Sequence, residues 1–112
     1  DWKPADDGYT EEEIKMIKET KKIMGDESIL VSATTARVPV RTGHSEAINL
    51  EFERPITPEQ TREALRKAPG VIVLDDYAKG EVPLALNCEG RDETFVGRIR
   101  RDPTVPNGLN LW

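Results

Sequence analysis

Two helix-start signatures fix the layout of this chain. Thr10 with Glu13, and Thr57 with Gln60, have the spacing of a capping box. In that box the hydroxyl accepts from the third amide, and the third side chain reaches back to the cap amide. Behind Thr10, apolar Ile14, Ile17 and Met24 recur at helical spacing, flanked by Met16 and Ile23, and Gly25 supplies a stop. The pattern predicts a helix over Glu11–Met24. Behind Thr57, Pro58 takes the first helical position, Ala64, Leu65 and Ala68 form an apolar stripe, and Gly70 is the stop. Ahead of both, Asp1–Tyr9 reads as an extended lead-in.

The remaining segments read as strands that follow one another directly. Ser28–Val40 is rich in β-branched residues, with Pro39 at its end, where a missing amide donor does least harm. Arg41, Thr42 and Gly43 form a turn. Glu46–Glu53 then alternates, with Ile48, Leu50 and Phe52 on one face and Asn49, Glu51 and Glu53 on the other. These two runs are expected to form an antiparallel pair. Val71–Leu74 is a short apolar run, hence a buried strand. Asp75–Asp92 is irregular, with turn signals at Lys79-Gly80 and Glu89-Gly90. Thr94–Arg101 is a further strand, Pro103–Gly108 a turn, and Leu109 onward a last strand. The order α-β-β-α-β-β-β predicts an α+β fold: a mixed, mostly antiparallel sheet with helices on one face.

Length and composition bound the function. At 112 residues the chain is expected to be one domain, 1–112. Its formal net charge of -5 argues against nucleic acid and anionic membranes as partners. No apolar run approaches the ~18 residues of a spanning helix. One cysteine, Cys88, excludes an intrachain disulfide and fits a reducing, cytoplasmic setting. With no Gly-x-Gly, the chain has neither a dinucleotide fingerprint nor a P-loop. It begins at Asp1 without a Met and stops in the apolar Leu109–Trp112, so it reads as a piece of a larger protein with an open sheet edge at that last strand.

Few residues here carry chemistry. His44, the only histidine, follows Gly43 and is either a general acid-base or an ordinary loop histidine. Arg37, between apolar neighbours, offers a fork of donors for a carboxylate, or simply sits on a solvated face. Glu12 and Lys15 share one helical face, either as an exposed ion pair or as contacts for an amine and an anion. Arg98, Arg100 and Arg101 form the only basic cluster, with Arg98 and Arg100 expected on one strand face. It is too small for duplex binding and is read as a pairing surface for carboxylates or part of a subunit contact. Cys88 reads as a bystander, since Asn87 and Glu89 give it no electropositive setting. One His and one Cys make no metal site.

Taken together, "EEIKMIKETKKIMGDESILVSAT", "RVPVRTGHSE", "FVGRIRRD" and "NGLNLW" resemble the aspartate-semialdehyde dehydrogenase family. The likeness is to its C-terminal substrate-binding and dimerisation domain and runs from Tyr9 to Trp112. It implies the C-terminal fold of glyceraldehyde-3-phosphate dehydrogenase, truncated, and a homodimer. The implied reaction is NADPH-dependent reductive dephosphorylation of aspartyl phosphate to aspartate semialdehyde, through a cysteine thioester. By the same resemblance His44 is the acid-base catalyst and Arg37 the clamp on the substrate carboxylate. Glu12 would contact the substrate amine and Lys15 the phosphate. The family's nucleophilic cysteine and NADP site lie in a nucleotide-binding half that these residues do not include, and Cys88 does not match the nucleophile position. Thr35 stands where the family commonly has Cys. The chain is therefore expected to be inactive alone. The other reading is a stand-alone, non-catalytic interaction module derived from the same family.

Overall fold

Both capping boxes close in the structure, a computed structural model that describes residues 5–112. Those residues divide into two units, 5–39 and Val40–Trp112.

In the first unit, Thr10 Oγ1 accepts from the Glu13 amide at 3.2 Å, and Glu13 Oε2 accepts from the Thr10 amide at 2.8 Å. Helix α1 runs Glu11–Met24 and ends on Gly25 in the left-handed region (φ 66). There the Gly25 and Asp26 amides both donate to the Lys21 carbonyl. Ile14 and Ile17 are half-buried, whereas Ile23 and Met24 are 79% and 67% exposed. The extended lead-in expected over Asp1–Tyr9 is corrected where it is described: Asp6–Gly8 forms a single 3-10 turn. Its residues 1–4 lie outside the described residues.

Ser28–Val40 forms no strand, contrary to expectation. β-branched residues favour extended backbone, but a strand also needs a ladder partner for its N–H and C=O groups. The expected partner is taken. Strand β1, Ile48–Glu51, pairs antiparallel with β5, Gly108–Leu111, matching Ile48 to Leu111 and Leu50 to Leu109.

The second unit is built around β5. It lies between β1 and β4 (Arg100–Arg101), antiparallel to both. The last strand is thus central, and no open edge runs along it. A second pair, β2 (Val71–Val73) and β3 (Thr94–Val96), is parallel. The expected strand Thr94–Arg101 is therefore two short strands. The reason is at Gly97, which exchanges both backbone hydrogen bonds with Trp112 (3.0 and 2.8 Å), and at Arg98, which turns into the left-handed region (φ 56). The exchange joins the ends of β3 and β5, so the sheet pairing is mixed and mostly antiparallel, as the element order implies.

Helix α2, Pro58–Lys67, packs on β2. It stops short of Gly70 because Ala68 precedes Pro69 and adopts an extended conformation (φ -75, ψ 132). A residue before proline is driven out of the helical region. Val96, Ile99 and Leu111 form the buried core, with Ile48, Leu50, Leu65, Val71 and Val73 packed against it. The irregular stretch between β2 and β3 includes a 3-10 turn, Tyr77–Lys79, and the one-turn helix α3, Ala85–Cys88.

Candidate functional site

The start of α1 carries two of the four candidate residues and fixes how they are displayed. Lys15 Nζ donates to Glu12 Oε1 at 3.0 Å and to Oε2 at 3.3 Å. Both side chains are more than half exposed, at 53% for Lys15 and 60% for Glu12. The hydrogen bond to Glu12, followed by the Glu12 and Glu19 charges, raises the Lys15 ammonium above the ordinary lysine range. An exposed pair of this kind adds little stability. It does present a carboxylate and an ammonium side by side, open to solvent.

Glu13, between them in sequence, is buried at 7% exposure. One oxygen closes the cap at Thr10, and the other accepts from the Thr35 backbone amide at 2.7 Å. The Thr10 and then the Thr35 backbone N–H groups hold its carboxyl below the usual glutamate range. Glu13 therefore ties the turn bearing Glu12 and Lys15 to the segment that leads two residues on to Arg37. The sequence reading used Glu13 only as a cap. Its second contact spans 22 residues and leaves no local signature.

Arg37 is exposed, in the irregular segment that ends the first unit. His44 is exposed, just after the Arg41–Thr42 bend of the second unit. Neither makes a hydrogen bond or ion pair with another described residue. The structure brings Glu12 and Lys15 into direct contact and places Arg37 in their unit. His44 belongs to the other.

The basic cluster departs from expectation. Arg98 and Arg100 do not share a strand face, because the chain turns between them. Arg98 Nε donates to the Tyr77 hydroxyl at 3.2 Å, and Arg100 Nη1 donates to the Arg98 carbonyl at 2.8 Å. Cys88 Sγ is spent on the Leu84 carbonyl at 3.3 Å. Among the described residues no group of three or more His, Cys, Asp or Glu could hold a metal ion, and no helix is long and apolar enough to cross a membrane. After the parallel pair β2–β3, β2 leads through Leu74 into acidic Asp75 and Asp76 rather than into a glycine-rich turn.

The second unit also holds a buried ion pair that no local pattern announces. Arg62 Nε donates to Asp75 Oδ2 at 2.7 Å, Arg62 Nη2 donates to the Ile99 carbonyl at 2.7 Å, and the Ile99 amide donates to the same Asp75 oxygen at 3.3 Å. An acid directly after a four-residue apolar run was the only hint in the sequence.

The family model described as "Semialdehyde dehydrogenase, dimerisation domain" matches residues 2–112. The chain is 56% identical over 107 residues to an aspartate-semialdehyde dehydrogenase of Aquifex aeolicus (strain VF5), covering 96% of this chain and 32% of that protein. It is 55% identical over 108 residues to the enzyme of the same name from Legionella pneumophila, covering 96% of this chain and 31% of that one. Among solved structures, aspartate semialdehyde dehydrogenase II of Vibrio cholerae complexed with ASA matches with a TM-score of 0.81 at 40% identity, over 96% of this chain and 32% of that one. The chain thus spans about a third of the length of these relatives.

Proposed function

Because the chain belongs to the semialdehyde dehydrogenase dimerisation-domain family, we propose that it is the substrate-binding and dimerisation region of an aspartate-semialdehyde dehydrogenase, a cytoplasmic homodimer of amino-acid biosynthesis. In that reading the intact enzyme interconverts aspartyl phosphate and aspartate semialdehyde, with NADP as its redox partner. The observation that carries it is the 56% identity, over nearly the whole chain, to a protein of that name.

The local chemistry supports the same reading. An amino-acid acyl phosphate presents an ammonium, a carboxylate and a phosphoryl group. The Glu12 carboxylate suits the ammonium, the Arg37 fork the carboxylate, and the Lys15 ammonium, held charged by Glu12, the phosphate. His44 supplies an imidazole, a side chain suited to general acid-base work, so in this reading it takes and returns the proton. Glu13 keeps the α1 turn and the Arg37 segment in fixed register, as a prepositioned site needs. NADP would supply or accept the hydride in the intact enzyme, of whose relatives this chain spans about a third. The cofactor and the nucleophilic cysteine belong to the remaining two thirds of such a protein.

A chimera tests this. Residues 5–112 are exchanged for the matching third of the Aquifex aeolicus relative, and NADPH formation from aspartate semialdehyde, phosphate and NADP is followed. The expected result is turnover that falls about 10²–10⁴-fold in His44→Asn, the usual worth of a general acid-base. A folded chimera with no turnover, or one indifferent to His44→Asn, would refute the assignment and favour a non-catalytic module.

A further inference from the structure

The two capping boxes of this chain use different third residues. At Thr57 the third residue is Gln60, whose Oε1 accepts from the Thr57 amide at 2.9 Å. At Thr10 it is Glu13, which closes the box with Oε2. A side-chain amide has one acceptor oxygen and a donor in place of the other, whereas a carboxylate can accept from two amides. Gln60 shows that a glutamine is enough for a cap in this chain, so the carboxylate at position 13 has an acceptor beyond what the cap needs. That second oxygen takes the Thr35 amide at 2.7 Å, and the residue is buried. Among the described residues this is the one hydrogen bond that residues 29–39 make. Ala33 is buried at 7% and lines a groove with Tyr9 and Glu13, but residues 34–39 are all exposed. Arg37 therefore follows two residues after the last anchor of its segment.

We propose that Glu13 is a positioning residue of the amino-acid site: through the Thr35 amide it sets where the Arg37 guanidinium stands relative to Glu12 and Lys15. The proposal rests on the reading given under Proposed function. An amino acid carries its ammonium and carboxylate on one carbon, a fixed distance apart. An amine acceptor on α1 and a carboxylate clamp two residues past Thr35 reinforce each other only if their own spacing is fixed as well. A clamp on an unanchored segment would lose ordering entropy at each binding event and hold the ligand more weakly. Glu13 itself acts at one remove, since both of its oxygens accept from backbone amides.

Glu13→Gln in the chimera described above tests this. Glutamine keeps the cap, as Gln60 does, but cannot accept from both amides. The expected result is a KM for aspartate semialdehyde raised at least tenfold, with far less change in kcat, the signature of lost binding rather than lost chemistry. Thr35→Pro removes the same hydrogen bond from its donor end and should raise KM likewise. In an Arg37→Ala background, Glu13→Gln should lower kcat/KM no further, because its effect passes through Arg37. A KM unmoved by Glu13→Gln, a loss confined to kcat, or an equal loss with and without Arg37 would overturn the positioning role and leave the proposed reaction standing. A folded parent chimera without turnover would overturn both.

Discussion

Asp75→Ala is expected to destabilise the chain by about 3–5 kcal/mol, the usual penalty for breaking a buried ion pair from one side. The Asp75 side chain is fully buried and that of Arg62 is 23% exposed. Removing the carboxylate strands the Arg62 guanidinium and leaves the Ile99 amide without its acceptor. Arg62→Ala should cost at least as much, since it leaves a carboxylate in the interior with one backbone donor, and Asp75 Oδ1 has no partner even now among the described residues. The double variant should lose clearly less than the sum of the two, because neither charge is then left alone. Urea denaturation of the four proteins measures this. Losses below 1 kcal/mol, or strict additivity, would mean the pair does not hold α2 to the β3–β4 turn.

Gly97→Ala should cost about 3 kcal/mol or more. A β-carbon there would run into the Leu74 carbonyl oxygen and lie 2.6 Å from Pro83 Cδ. Neither obstacle is the far end of a flexible side chain. Nor is Gly97 free to retreat, because both of its backbone groups are bonded to Trp112. Overpacking usually costs ~1–3 kcal/mol where neighbours can shift, and more where they cannot. Gly90→Ala is the control. It sits at φ 74 with nothing within 4 Å of the added carbon, so only the left-handed penalty of about 1–2 kcal/mol applies. Equal, small losses at both sites in thermal melts would contradict the close approach at Gly97.

What the sequence made legible was governed by neighbours a few residues apart. The capping boxes at Thr10 and Thr57 close on their own third residues, so both helix starts stand in the sequence. The alternation around Ile48 and Leu50 marks a half-buried strand whichever strand covers it. Partners were not legible. β1 finds β5 some 60 residues later rather than the β-branched run before it, and in that pairing Leu50 lies opposite Leu109, which is fully buried. The split of Thr94–Arg101 depends on the Gly97–Trp112 exchange, another long-range event. The candidate site divides in the same way. Glu12 and Lys15 follow from helical spacing, whereas the Glu13–Thr35 link and the Arg62–Asp75 pair join segments that no local pattern connects. The roles proposed for Arg37 and His44 rest on family resemblance, since exposed residues of these types are common.

The proposed function requires that Glu12 and Arg37, both in the first unit, meet one amino-acid ligand. An NMR titration of the isotope-labelled chain with aspartate semialdehyde, following the Glu12 and Arg37 side-chain resonances, tests it most directly. Both resonances are expected to move with one dissociation constant, and Arg37→Ala to weaken the response of Glu12 at least tenfold. Resonances that stay still at saturating ligand, or a Glu12 response indifferent to Arg37→Ala, would contradict it.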